Sequence, residues 1–158
     1  MVSRGEDRDV EAIISELARH ALADQAQIVS EMRAGAGILL AAGSLIASFL
    51  GSESLSRGGL TLIAWLAIAA FVMSMLATLY VLLPKPSLRF SVSSTDVQPT
   101  LPEAPAPHEV HASVARLGAA LYGRNAPVVW RAQIVYVVAV VAVVAQVFLW
   151  VSQLAATM

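Results

Sequence analysis

The sequence predicts an all-α membrane protein with three transmembrane helices, the first continuous with an N-terminal amphipathic helix and the third preceded by a short cytoplasmic helix. Three observations carry this fold class. First, Ala34–Leu83 holds two uncharged apolar runs, Ala34–Gly51 and Leu60–Leu83, joined by the polar link Ser52–Gly59, and a third uncharged run covers Ala132–Met158. As helices the first two reach about 27 and 36 Å, against a hydrocarbon core of about 30 Å, the second with some tilt. Second, the chain is 58% hydrophobic and only 13% charged, with a mean hydropathy of +0.72, far from the soluble average. Third, Leu60–Leu83 offers only Thr61, Ser74, Thr78 and the phenol of Tyr80 as polar side-chain groups, too few for the polar face that a soluble helix keeps. Backbone groups in lipid must pair internally, which helices do and open sheets do not.

Residues 1–33 read as a cytoplasmic amphipathic segment. Met1–Asp9 is polar and charged and is expected to fray, with Asp9 as the N-cap. Beyond it Val10, Ile13, Ile14, Leu17 and Ala21 recur at helical spacing, and Ile28 and Met32 resume the stripe, while Glu16, Arg19, Asp24, Gln27 and Glu31 fall largely elsewhere. No Pro or Gly interrupts Val10–Ala34, so one helix enters the membrane without a break. The stripe suits a coiled-coil seam, although Asp24 sits where an apolar residue is wanted, and equally suits packing on the chain's own cytoplasmic segment. In the hairpin, residues 34–83, small side chains form rows: Gly43, Ala47 and Gly51 in the first span, with Ser44, Ser48 and Ser52 beside them, and Ala70, Ser74 and Thr78 in the second. Small residues let backbones approach closely in lipid, where packing drives association. These rows are the candidate helix-packing contact, within the hairpin or between copies.

Residues 84–131 read as a cytoplasmic linker followed by a short helix. Pro84 closes the second span, and Lys85, Pro86 and Arg89 place it at an interface. Leu88, Phe90 and Val92 alternate with polar residues like a strand, but a lone strand has no partner, so an extended linker is expected. Asp96–Pro107 carries four prolines and reads as a spacer. His108–Arg124 then reads as a helix with an apolar stripe of Val110, Val114, Leu117 and Leu121, ended by Gly123, Asn125 and Pro127. The third span, Ala132–Met158, is longer than a bilayer needs, so its last turn is expected to project. Gln146 is its strongly polar side chain at depth, an amide expected to bond a neighbouring helix, with a pore-lining role as the sharper alternative.

Arg4, Arg8, Arg19 and Arg33 precede the first span, and Lys85, Arg89, Arg116, Arg124 and Arg131 lie between the second and third, against Arg57 alone in the short link. Positive residues stay cytoplasmic, which puts the N-terminus and the long loop inside and the link and C-terminus outside. Tyr80 and Trp130 then fall near the inner interface, and Trp65 and Trp150 near the outer. The charged N-terminus and the late start of the first apolar run predict no cleavable signal peptide. A net charge of -1 gives no reason to expect a nucleic-acid partner, and the absence of cysteine removes disulfides, thiolate catalysis and Cys-based metal sites. His108 and His111 flank Glu109, but a metal site needs a third ligand. His20 reads as part of a wet helix face. No Ser, His and acid are arranged for nucleophilic work, no Gly-rich loop follows a strand to cradle phosphate, and the spans contain no acid or base. The expectation is a protein without cofactor that is not an enzyme.

The run Glu31, Met32, Arg33, Ala34, Gly35 opening the first span, a short outer turn, a second span ending in Leu82, Leu83, Pro84, a cytoplasmic stretch and a final span resemble the Pycsar-type membrane effectors of bacterial antiphage defence and the related SLATT-like modules. The resemblance implies a small inner-membrane protein that oligomerises and compromises the membrane when a nucleotide-derived signal arrives. Arg33 stands where that family typically has lysine and would be the interface charge at the lipid boundary. No cyclic-nucleotide-binding domain is visible, so any ligand sensing falls to a partner or to an unrecognised cytoplasmic surface. The function expected is therefore helix–helix association in the inner membrane, as a membrane-disrupting effector. The alternatives are a passive anchor for a cytoplasmic partner and, third, a small channel.

Overall fold

A computed structural model describes residues 3–101 and 105–156. Its elements in chain order are α1 (Ser3–Ile46), a π-helical turn (Ala47–Gly51), α2 (Ser52–Gly58), α3 (Leu62–Leu82), α4 (Ser94–Val97), a 3-10 turn (Gln98–Thr100) and α5 (Pro107–Ala156). No strand occurs among the described residues. Three helical stretches, Ala12–Gly58, Leu62–Leu82 and Pro107–Ala156, are long and apolar enough to cross a membrane, and the N-terminal helix is continuous with the first of them. The protein is an all-α membrane protein.

Four boundaries differ from those expected. Asp9 is no N-cap: α1 already begins at Ser3, and Met1 and Val2 lie outside the described residues. The link Ser52–Gly59 is largely helical, because nothing in Ser-Glu-Ser-Leu-Ser-Arg breaks a helix and Arg57 pairs with Glu53 one turn earlier at 2.6 Å. The reversal is confined to Gly59, whose φ of 66° suits a residue without Cβ, and Thr61 then caps α3 by accepting from Ala64 N–H at 3.2 Å. The spacer opens in a helical turn, since Ser93 and Asp96 form a reciprocal capping box around α4; Pro102 lies outside the described residues. The segment 88–92 is neither helix nor paired strand. Finally, Gly123, Asn125 and Pro127 do not end a helix: α5 runs through all three. Pro127 leaves the Gly123 carbonyl without its usual N–H partner, and a buried face either side of it, Asn125, Val129 and Ala132, holds the helix together across the gap.

The chain divides into two compact units, Met1–Ser30 with Lys85–Trp130, and Glu31–Pro84 with Arg131–Met158. The first holds most of the charge. The second holds the apolar runs, and its interior is built of small and polar residues: Ala36, Ala64, Ala67, Ala77, Ala139 and Ala142 are buried, as are Ser74, Thr78, Gln146 and Gln153. Its outside is greasy, with Phe49, Leu62, Trp65, Leu76, Val141 and Phe148 exposed. An exterior more apolar than the core is what lipid as solvent selects, and water would not tolerate so continuous a patch.

Candidate functional site

In the spanning unit, three helices meet at Gly43. A methyl on its Cα would stand 3.7 Å from Val143 Cγ2, 3.9 Å from Gln146 Oε1 and 4.0 Å from Ser74 Oγ. The close approach lets Gln146 Nε2 donate to the Gly43 carbonyl at 3.3 Å, so the amide bonds a neighbouring helix of the same chain. Its Oε1 is buried without a hydrogen-bond partner. Ser74 and Thr78 donate to their own helix, to Phe71 O at 2.8 Å and Ser74 O at 2.7 Å, which leaves small, already satisfied surfaces inside the bundle. Ala47 and Ala70 are half-buried, and the parallel row of Ser44, Ser48 and Ser52 is exposed.

Gly51 packs on the Trp150 ring, its notional Cβ 3.3 Å from Cζ2. Eight residues of regular α-helix would turn Gly51 about 80° away from Gly43. The π turn takes up one extra residue and cuts the offset to about 20°, so both glycines face the same bundle. Trp150 packs inward at this end of the bundle, 2% exposed, among Ala64, Ala67, Leu50 and Leu55. Gln153, one heptad beyond Gln146, donates from Nε2 to Gly59 O at 3.0 Å and accepts from Thr61 Oγ1 at 2.8 Å, which pins the turn between α2 and α3 to α5. Sequence reasoning missed it, although residues 146, 150 and 153 share one helix face. Arg33 lies within the unbroken α1, half-buried, and its Nε has no hydrogen-bond partner.

In the charged unit, α1 packs through a face other than its most hydrophobic stripe, so of the two roles open to that stripe, packing on the chain's own cytoplasmic segment is not the one it has. Buried or half-buried there are Ser15, Ala18, Leu22, Gln25 and Val29. Ser15 Oγ lies 2.8 Å from Ala12 O and 3.1 Å from His111 Nδ1, a hydrogen-bond link between α1 and α5. A Cβ on Gly118 would be 3.0 Å from Ala18 Cβ, and Gln25 Nε2 donates weakly to Tyr122 O at 3.4 Å. The strongly apolar stripe, by contrast, is left outside: Val10, Ile13, Ile14 and Leu17 are all exposed, Leu17 to 62%. Asn125 donates to Arg89 O at 2.8 Å and accepts from Arg89 N–H at 3.4 Å, so it clamps the linker backbone rather than ending a helix.

The HEVH run serves the fold: Glu109 accepts from Ala106 N–H at the start of α5, and no group of three His, Cys, Asp or Glu suited to a metal occurs among the described residues. His20 pairs with Glu16 at 3.2 Å on an exposed face. No protein-family model, curated protein or solved structure matches the chain.

Proposed function

We propose that this multi-pass membrane protein acts by self-association through α1 and that its assembled form perturbs the bilayer, as a membrane-disrupting effector of the inner membrane. The observation that carries the reading is the second apolar stripe on α1. Val10, Ile14, Leu17 and Ala21 follow the 4-3-4 spacing of a coiled-coil seam, and α1 packs on α5 through a different face, so the seam is free for a second copy. Burying the three exposed large side chains, Val10, Ile14 and Leu17, against their counterparts is worth several kcal/mol at about 1.5 kcal/mol or more each, in the range where assembly depends on concentration and on a modest additional signal. The resemblance of the Glu31–Gly35 and Leu82–Pro84 runs to Pycsar-type effectors supplies the bilayer as target and an intracellular signal as trigger. The N-terminus and the 84–131 segment are then cytoplasmic, in keeping with the arginine distribution.

The test is a pair of measurements on the full chain and on Leu17→Glu. In lipid nanodiscs or mild detergent, the native chain should run as an oligomer by mass photometry and the variant as a monomer. In cells, induction of the native chain should depolarise the inner membrane and arrest growth, and the variant should do neither. A monomeric native chain removes the reading; an oligomer with an undisturbed membrane removes the effector role and leaves an anchoring one.

A further inference from the structure

The charged unit contains a cavity of about 710 Å³. Its floor is the α1–α5 pair, represented by Leu22, Val110 and Val114, and its roof is the linker, represented by Phe90, Val92 and Val97. Two anchors hold that roof in place. Asn125 grips the Arg89 backbone through both of its polar groups, and Val97 is buried on the capped turn α4. The chain between them bridges the helix pair without collapsing onto it.

Among the described residues the lining is apolar apart from serine hydroxyls, Gln98 and a single charge, Arg19, and holds no carboxylate. Arg19 makes no ion pair or hydrogen bond among the described residues; Glu16, one turn earlier, lies 3.2 Å from His20 instead. An apolar cavity in the size range of small-ligand sites, with a guanidinium at its rim, selects for a hydrophobic body carrying one negative head. We propose that this cavity binds a small anionic amphiphile, an alkyl chain ending in a carboxylate or a phosphate, with the chain between linker and helices and the head on Arg19. The site is independent of the self-association reading: the α1 stripe contributes no residue to it, and either can fail alone.

The test uses the full chain in nanodiscs of neutral lipid, with dansyl-labelled undecanoate as the probe and empty nanodiscs as the baseline for partition into lipid. Saturable fluorescence enhancement above that baseline is expected, displaced by decanoate or decyl phosphate, whose relative strength distinguishes the two head groups, and not by decanol. Arg19→Gln should weaken binding about tenfold, the scale of one charge-assisted hydrogen bond, with Arg19→Lys in between. Val110→Phe, which fills the chamber from its floor, should abolish binding while circular dichroism stays unchanged. Absence of saturable enhancement, equal displacement by decanol, displacement by adenosine monophosphate at the same concentration as decanoate, or indifference to both Arg19→Gln and Val110→Phe would each overturn the assignment.

Discussion

Gly43 illustrates how one missing side chain organises a bundle. Because a methyl at its Cα would meet Val143, Gln146 and Ser74 at ordinary contact distance, Gly43→Ala is expected to leave stability within about 0.5 kcal/mol. Gly43→Leu has no such space: it must displace the Gln146 amide and Ser74 together, with an overpacking cost of about 1–3 kcal/mol. Thermal unfolding of the purified chain in detergent should separate the two variants, and equal melting would show that the three helices do not converge there. Gln146 itself contributes little energy, since interhelical hydrogen bonds in membranes average about 0.6 kcal/mol. Its value is positional: a buried amide at one height on α5 fixes which turn of α1 lies opposite. Gln153 does the same for the turn between α2 and α3 through Gly59 and Thr61. Of these residues Gly43, Ser74 and Gln146 were legible as small or polar groups inside apolar runs. The packing role of Trp150 was not, because an aromatic near the end of a span reads as an interface anchor whichever way its ring faces; its neighbours Gly51, Ala64 and Ala67 make room for the ring inside the bundle.

At the level of elements, the two long helices show where local signals mislead. In α1 the most hydrophobic stripe suits a coiled-coil seam and a packing face on the same chain equally well, yet the residues that pack within the chain are Ser15, Ala18, Leu22, Gln25 and Val29, which also recur at three- and four-residue intervals. Hydropathy ranks side chains by their aversion to water, whereas close helix packing favours small ones, and Gly118 opposite Ala18 rewards smallness. In α5, Gly123, Asn125 and Pro127 together form a helix-stop signal, and each is overridden for a different reason: Gly123 by its place between two strongly helical stretches, Asn125 by its engagement with Arg89, Pro127 by the buried face running past it. If Pro127 weakens α5, Pro127→Ala should restore a hydrogen bond to Gly123 O and remove a penalty of up to about 3 kcal/mol. Hydrogen exchange around residues 121–129 should slow in the variant; unchanged exchange would mean that the proline costs the helix nothing.

For the whole molecule, the decisive property is an apolar exterior around a small and polar interior in the spanning unit, the reverse of a water-soluble protein. Three spans place the two chain ends on opposite sides of a bilayer, and the arginine distribution favours an inside N-terminus. The chain contains no cysteine, so single cysteines at exposed serines report topology cleanly. Ser56→Cys, in the link, should react with an impermeant maleimide in intact cells, and Ser87→Cys only after permeabilisation. The opposite pattern would invert the molecule and move both the α1 stripe and the linker cavity to the outside, where an intracellular trigger has no access.

Residence in the membrane, the number of crossings and the helical class follow from sequence alone, because bilayer thickness converts the length of an apolar run directly into a span, and a continuous apolar run of about 20 residues is too long and too uniform for the alternating strand of a barrel. Facing does not follow. A helix surrounded by lipid is apolar on every side, so hydropathy carries no record of which side meets a neighbour, and outside the lipid the strongest apolar stripe on α1 is the one left uncovered. Those choices rest on contacts between residues far apart in the chain: Gly43 with Gln146, Gly51 with Trp150, Ala18 with Gly118 and Arg89 with Asn125. They exist only once the helices have come together.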